Sequence, residues 1–164
     1  HKDRRIVFGF AGNTGKTHLP IIDGQPSGRI HYLRLMTPLG LQIRKRDGKE
    51  ESVQEVINHN LESRIIPNFS HTGSFKRRHV RWRVTETGLA GALLLEQAPS
   101  PTKDWFTPGE DYLEWRKIED AKLIVEDYRN KPEESEKFGN RLREKILANH
   151  TPEKFWGRIL ARIK

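Results

Sequence analysis

RWRVTETGLAGALLLEQ, residues Arg81–Gln97, is the stretch whose reading decides the fold. Its first half predicts a helix, with Val84, Leu89 and Ala90 suited to the inward side. Arg83 and Glu86 stand three residues apart, which makes them neighbours on a helix surface. Gly88 and Gly91 read as the residues that let the chain turn closely at the helix end. Ala92-Leu93-Leu94-Leu95 is then a short apolar run bounded by Gly91 and Glu96-Gln97, the pattern of a strand buried on both faces. A cation beside a carboxylate, just ahead of a buried parallel strand, suits a phosphorylated polyol held at the edge of an α/β sheet.

Upstream, RRIVFGFAG (residues 4–12) predicts a first buried strand running into Gly12-Asn13. GNTGKTHLP resembles a phosphate-binding P-loop, but its spacing fails. Counting back from Gly15-Lys16-Thr17, the first required glycine is Phe10, and Pro20, Gly24 and Pro26 predict an extended loop where the motif needs a helix. A nucleoside-triphosphatase is therefore rejected. Gly12 and Asn13 instead read as the end of a strand beside a ligand crevice.

A helix is predicted over Gly28–Met36, a strand over Gly40–Arg44 and a helix over Glu51–Leu61, the last from Val53, Val56, Ile57, Asn60 and Leu61. RIIPNFS (Arg64–Ser70) is a third strand, weakened by Pro67. The loop His71-Thr72-Gly73-Ser74 can present backbone N–H groups, and the densest cationic run follows it: Lys76, Arg77, Arg78, Arg81 and Arg83.

Downstream, Pro99, Pro101, Pro108 and Gly109 predict an irregular loop, and Asp111–Trp115 a last short strand. The C-terminal third is helical by pattern. Ile118, Ala121, Ile124, Val125 and Tyr128 form one stripe; Phe138, Leu142 and Ile146 step by four. Thr151-Pro152 marks a further helix start, and Phe155, Trp156, Ile159, Leu160 and Ile163 are expected to bury that final helix.

The 164 residues fit one domain over 1–164. No apolar run is long enough to span a bilayer, and no signal peptide is visible. Cysteine is absent, which excludes disulfides, thiol catalysis and cysteine-ligated metal, and a cytoplasmic address is expected. Thirty Lys and Arg against 22 Asp and Glu leave a net charge of +8, which predicts an anionic partner. The chain starts at His1, so it is expected to be cut from a longer one.

Alternating strands and helices predict an α/β fold: a Rossmann-like, mostly parallel sheet of about five or six strands with helices on both faces. The loops at 12–28, 70–80, 85–92 and 97–110 are expected to open on the strands' C-terminal edge, with a ligand crevice there.

RWRVTETGLAGALLLEQ, DWFTPGEDYLEW, IEDAKLIVEDYRNKPEE and HTPEKFW, in that order, resemble the C-terminal half of GT-B-fold glycosyltransferases, closest to the group-1 type that includes CgeB-like spore-maturation proteins. The shared pattern is Arg83 with Glu86, Gly91, Leu93–Leu95, Phe106-Thr107-Pro108-Gly109-Glu110 and Pro132-Glu133, over Asn68–Leu160. The resemblance implies a nucleotide-diphosphate-sugar donor bound to this half, an acceptor-binding N-terminal domain in the full-length protein, and no metal or other cofactor. It implies that Glu86 receives the donor's ribose hydroxyls and that Arg83 meets the diphosphate, making these the catalytic candidates. His71, Thr72, Gly73 and Ser74 would add backbone donors, with Gly12, Asn13, Asn68 and Ser70 completing the donor site. Many relatives of this fold carry a second acidic residue eight positions before the helix glutamate; here that place is Arg78, so sugar recognition must differ or come from elsewhere.

Two other readings compete. A basic nucleic-acid-binding module is suggested by the charge and by Trp82 among arginines, but aromatics interleaved with strands are missing. A docking module for a partner or an anionic membrane surface would use the C-terminal helices. His150, just before the last helix, reads as a capping or surface residue.

Overall fold

Residues 6–12 carry small or apolar side chains throughout, and in the computed structural model of this chain they form β1 (Ile6–Gly12), an inner strand of the sheet. The structure describes residues 4–12, 21–22, 25–26, 28–45, 50–70 and 79–163. The two-residue strands β2 (Ile21–Ile22) and β3 (Gln25–Pro26) pair with each other, and α1 (Arg29–Met36) leads to β4 (Leu41–Lys45). There follow α2 (Glu50–Glu62), β5 (Ser63–Asn68), α3 (Trp82–Ala90), β6 (Leu93–Gln97) and β7 (Leu113–Trp115). Three helices end the chain: α4 (Ile118–Arg129), α5 (Pro132–Asn149) and α6 (Pro152–Ile163).

The five-stranded sheet runs β4-β1-β5-β6-β7 with every pairing parallel, as the alternating pattern predicts. The chain goes outward from β1 to β4, then returns to β5 on the other flank of β1. The order therefore reverses between β1 and β5, and crossovers leave that point on opposite faces, opening a crevice at the strand C-termini.

Side chains alternate across the sheet with period two. Phe8, Phe10, Ile65, Leu93 and Leu95 pack with Tyr32, Leu33 and Met36 of α1 and Ala121 and Val125 of α4. Leu94 points the other way, to Val84 of α3 and Leu142 and Ile146 of α5. On that second face α3 and α5 approach closely: a Cβ on Gly88 would lie 2.3 Å from Ile146 Cδ1, and one on Gly139 2.1 Å from the Gly91 carbonyl oxygen.

Pro67 does sit in an inner strand. Its ladder with β6 continues from Ile65 to Asn68, whereas the ladder with β1 stops at Phe8↔Ile65. The β1 ladder has thus ended before the position where proline lacks an N–H donor.

Several expectations change. Gly88 does not turn the chain; it makes room for α5, and Gly91, with φ +68°, alone ends the helix. Leu89 is exposed. The loop 85–92 opens on the opposite, N-terminal edge, where Arg4 Nη2 donates to the Ala90 carbonyl at 2.6 Å. A segment joining a helix to the next parallel strand has to lie there. On α2, Val56 and Asn60 face inward but Val53, Ile57 and Leu61 are exposed. The final helix α6 buries no residue, contrary to its pattern.

Candidate functional site

β1 ends in Gly12, whose φ of +135° favours a residue without a side chain. A Cβ there would lie 2.5 Å from Arg83 Nη2, so the guanidinium rests directly on the strand end. Its Cζ also stands 4.7 Å from the Phe10 ring centroid, within cation–π range. Arg83 reaches this place because α3 begins beyond the C-terminus of β5, the neighbour of β1 at the reversal of strand order. The two residues the sequence pairs on α3 are brought together there. Arg83 Nη1 lies 3.8 Å from Glu86 Oε2, with the arginine side chain 12% exposed and the glutamate 45%.

That spacing is a loose ion pair, and Nη1 has no hydrogen-bond partner among the described residues. Burial pulls the Arg83 pKa down, opposed by Glu86. A guanidinium kept charged with an unused N–H is a donor waiting for an anion.

Two more arginines stand near it. Arg29, the first residue of α1, places its Cζ 5.9 Å from the same Phe10 ring. Burial, then the like charges of Arg81 and Arg83, push its pKa down to about 10. Arg81 is the N-cap of α3; burial lowers its pKa and Glu96 raises it. The sequence reading passed over Arg29 altogether. Its signal was weak: a lone arginine after Gly28, with nothing local to tie it to Arg81 and Arg83, fifty residues on.

Of the remaining candidates, Asn68 and Ser70 are both buried and both engaged. Asn68 Nδ2 donates to Glu96 Oε2 at 2.7 Å, and Ser70 Oγ donates to the Gln97 carbonyl at 3.4 Å. They tie the ends of β5 and β6 together beneath the crevice. Asn13 and His71–Ser74 lie outside the described residues.

Glu96 is the second residue that sequence reasoning missed, read as the polar boundary of an apolar strand. It lies within β6, fully buried, and burial pushes its carboxyl up to about 7 despite hydrogen bonds from Asn68 and Ser100. His150 caps the end of α5 and stacks on Trp105 at 4.7 Å between ring centroids, consistent with a structural place for it.

A doubly wound parallel sheet gathers a buried guanidinium, a nearby carboxylate and flanking arginines at its switch point, which defines an α/β domain with positive potential concentrated there. The glycosyl transferase-like family profile matches residues 34–161, more than three-quarters of the chain, and the chain belongs to that family. The crystal structure of TarM is similar in fold, with a TM-score of 0.58 at 12% identity; the match covers 98% of this chain and 36% of TarM. No curated protein matches the sequence. The resemblance to a GT-B glycosyltransferase domain therefore holds, and the fold is the expected one.

Proposed function

We propose that this chain is the donor-binding half of a metal-independent glycosyltransferase, taking a nucleotide-diphosphate sugar. The observation that carries the reading is the Arg83 guanidinium, seated on Gly12 and Phe10 with an unused N–H and Glu86 beside it. Arg83 forks the diphosphate oxygens. Arg29 and Arg81 add positive potential, so the charge that grows on the leaving phosphate is met without reorganisation. The bond between the sugar's anomeric carbon and the distal phosphate oxygen breaks, its electron pair staying on that oxygen. The new bond forms to an acceptor hydroxyl, whose proton leaves to a base outside these residues.

Glu86, half-exposed and acceptor-only when ionised, receives the two vicinal ribose hydroxyls. In this proposal Gly12, Asn13 and the loop His71, Thr72, Gly73 and Ser74 supply backbone contacts, while Asn68 and Ser70 brace the strand ends. An acceptor-binding domain elsewhere in a longer protein completes the site, so the chain alone binds donor with little turnover.

Calorimetric titration with UDP- and GDP-sugars tests this. Binding to one of them is expected, and Glu86→Ala should weaken it by about 1–3 kcal/mol, the worth of hydrogen bonds to a charged group. A folded chain that binds no nucleotide diphosphate refutes the reading.

One observation favours a nucleic-acid ligand instead: Trp82 is highly exposed between Arg81 and Arg83. That reading requires single-strand affinity falling steeply with salt.

A further inference from the structure

Glu96 occupies a place where a neutral residue would serve the fold as well. It pairs in register with Asn68 of β5 on one side and Glu114 of β7 on the other, so the three stand in one row across the C-terminal end of the sheet. Asn68 Nδ2 donates to Glu96 Oε2 at 2.7 Å, and the Tyr112 hydroxyl donates to Glu114 Oε1 at 3.2 Å. An amide oxygen would accept from Asn68 equally well, without the penalty of a fully buried carboxyl. What glutamate adds is a removable proton. Alternation along β6 turns Glu96 to the side of Leu94, toward α3 and α5. Lys145 of α5 is held by Asp111 at 2.5 Å, and the cation that acts on Glu96 is Arg81, the N-cap of α3. Arg81 in turn acts on Arg29, whose guanidinium shares the Phe10 ring with that of Arg83. It therefore links the buried carboxyl to the arginine cluster at the end of β1.

We propose that Glu96 is a positioning residue for the diphosphate site, an inference that rests on the donor-binding reading of this crevice: protonated, it leaves Arg81 to the bound anion, and ionised, it draws that guanidinium toward itself. With Glu96 neutral, Arg29, Arg81 and Arg83 against Glu86 leave a balance of two positive charges among the described residues. A sugar-linked diphosphate carries two negative ones. Burial pushes the Glu96 carboxyl up to about 7, with Glu114 opposing its ionisation and Arg81 favouring it. An anion beside Arg81 favours the protonated form, so affinity is full below about pH 7 and falls as pH rises through it.

The test is calorimetry of UDP- and GDP-sugar binding across this range, in buffers of different ionisation enthalpy. The parent should take up about half a proton on binding near neutral pH, and bind roughly tenfold more weakly at about pH 9 than at about pH 6, the ratio for one unit of pKa coupling. Glu96→Gln keeps an acceptor for Asn68 and has no proton to lose. It should hold the parent's low-pH affinity throughout, with no uptake. Arg81→Gln should bind more weakly and lose most of the step. Burial lowers the pKa of His59 and of His79, and Arg29 titrates at about 10; their effects persist in Glu96→Gln, which serves as the baseline.

Sulfate separates this inference from the donor reading. It stays doubly charged through the same range and needs no nucleotide recognition, so its affinity, followed by NMR at the arginine Nε–H signals, should show the same step. Sugar nucleotides that do not bind, with a sulfate step that Glu96→Gln removes, would end the donor reading and support the coupling. The proposal is overturned by donor binding without proton uptake, by sulfate affinity that is level with pH, or by a step of full size in Glu96→Gln or in Arg81→Gln. Should Glu96→Gln not fold, the parent's proton uptake and the Arg81→Gln profile decide.

Discussion

α3 and α6 are both short amphipathic helices with cations near their apolar sides, yet they meet opposite fates. Val84, Thr87, Gly88 and Ala90 of α3 are buried against the sheet and α5, and that packing fixes the register in which Arg83 reaches Gly12. α6 buries nothing, and its cations stay in a row at the surface. Periodicity says that a helix has an apolar side. It does not say what that side will touch.

The largest expected difference between the two is in stability. Leu142→Ala removes the fully buried α5 side chain beside Gly88 and Leu94 and should cost about 2–5 kcal/mol in chemical denaturation. Leu160→Ala on α6 should stay within about 0.5 kcal/mol of the parent in the same measurement. A large loss at Leu160 would mean that α6 packs on its own domain after all.

Next comes the floor beneath α3. Glu96 holds its proton up to about pH 7 in the folded chain, against an ordinary 4.5. Below pH 4.5 the carboxyl is protonated in both states and costs nothing. Between about 4.5 and 7 the unfolded chain gives up the proton that the folded one keeps, so stability falls as pH rises, by a total on the order of 3 kcal/mol. Denaturation of parent and Glu96→Gln across this window should show the difference in slope; parallel curves would remove Glu96 from the buried set.

A smaller effect belongs to the site itself. Arg83→Ala should lower nucleotide-diphosphate affinity by about 1.5–3 kcal/mol by calorimetry, with the fold retained. An affinity unchanged by that substitution would leave the buried guanidinium of α3 no more functional than the exposed ones of α6.

Much of the fold was legible because period-two and period-3.6 patterns are local. β1, α2, β6 and the helical C-terminal third all fall where those periods place them, within a residue or two. The Arg83–Glu86 pair was legible for the same reason: three residues along a helix is a local distance. Arg29 was not, because it joins the arginine cluster through the sheet's order of strands. Glu96 escaped because charge in sequence suggests exposure, and only the closed edge between Asn68 and Ser100 removes that side chain from water.

The amino-acid sequence by itself determined the strands of the parallel sheet and the helices, though not the short β2–β3 pair, and that a cation and a carboxylate share a turn of α3. Tertiary structure alone decided that strand order reverses between β1 and β5, that Gly12 lies under Arg83, and that α6 buries none of its residues against the rest of the described chain. Secondary structure follows from interactions within a few residues. Which apolar faces meet, and which carboxyl loses its water, depends on segments that the chain brings together only when it closes.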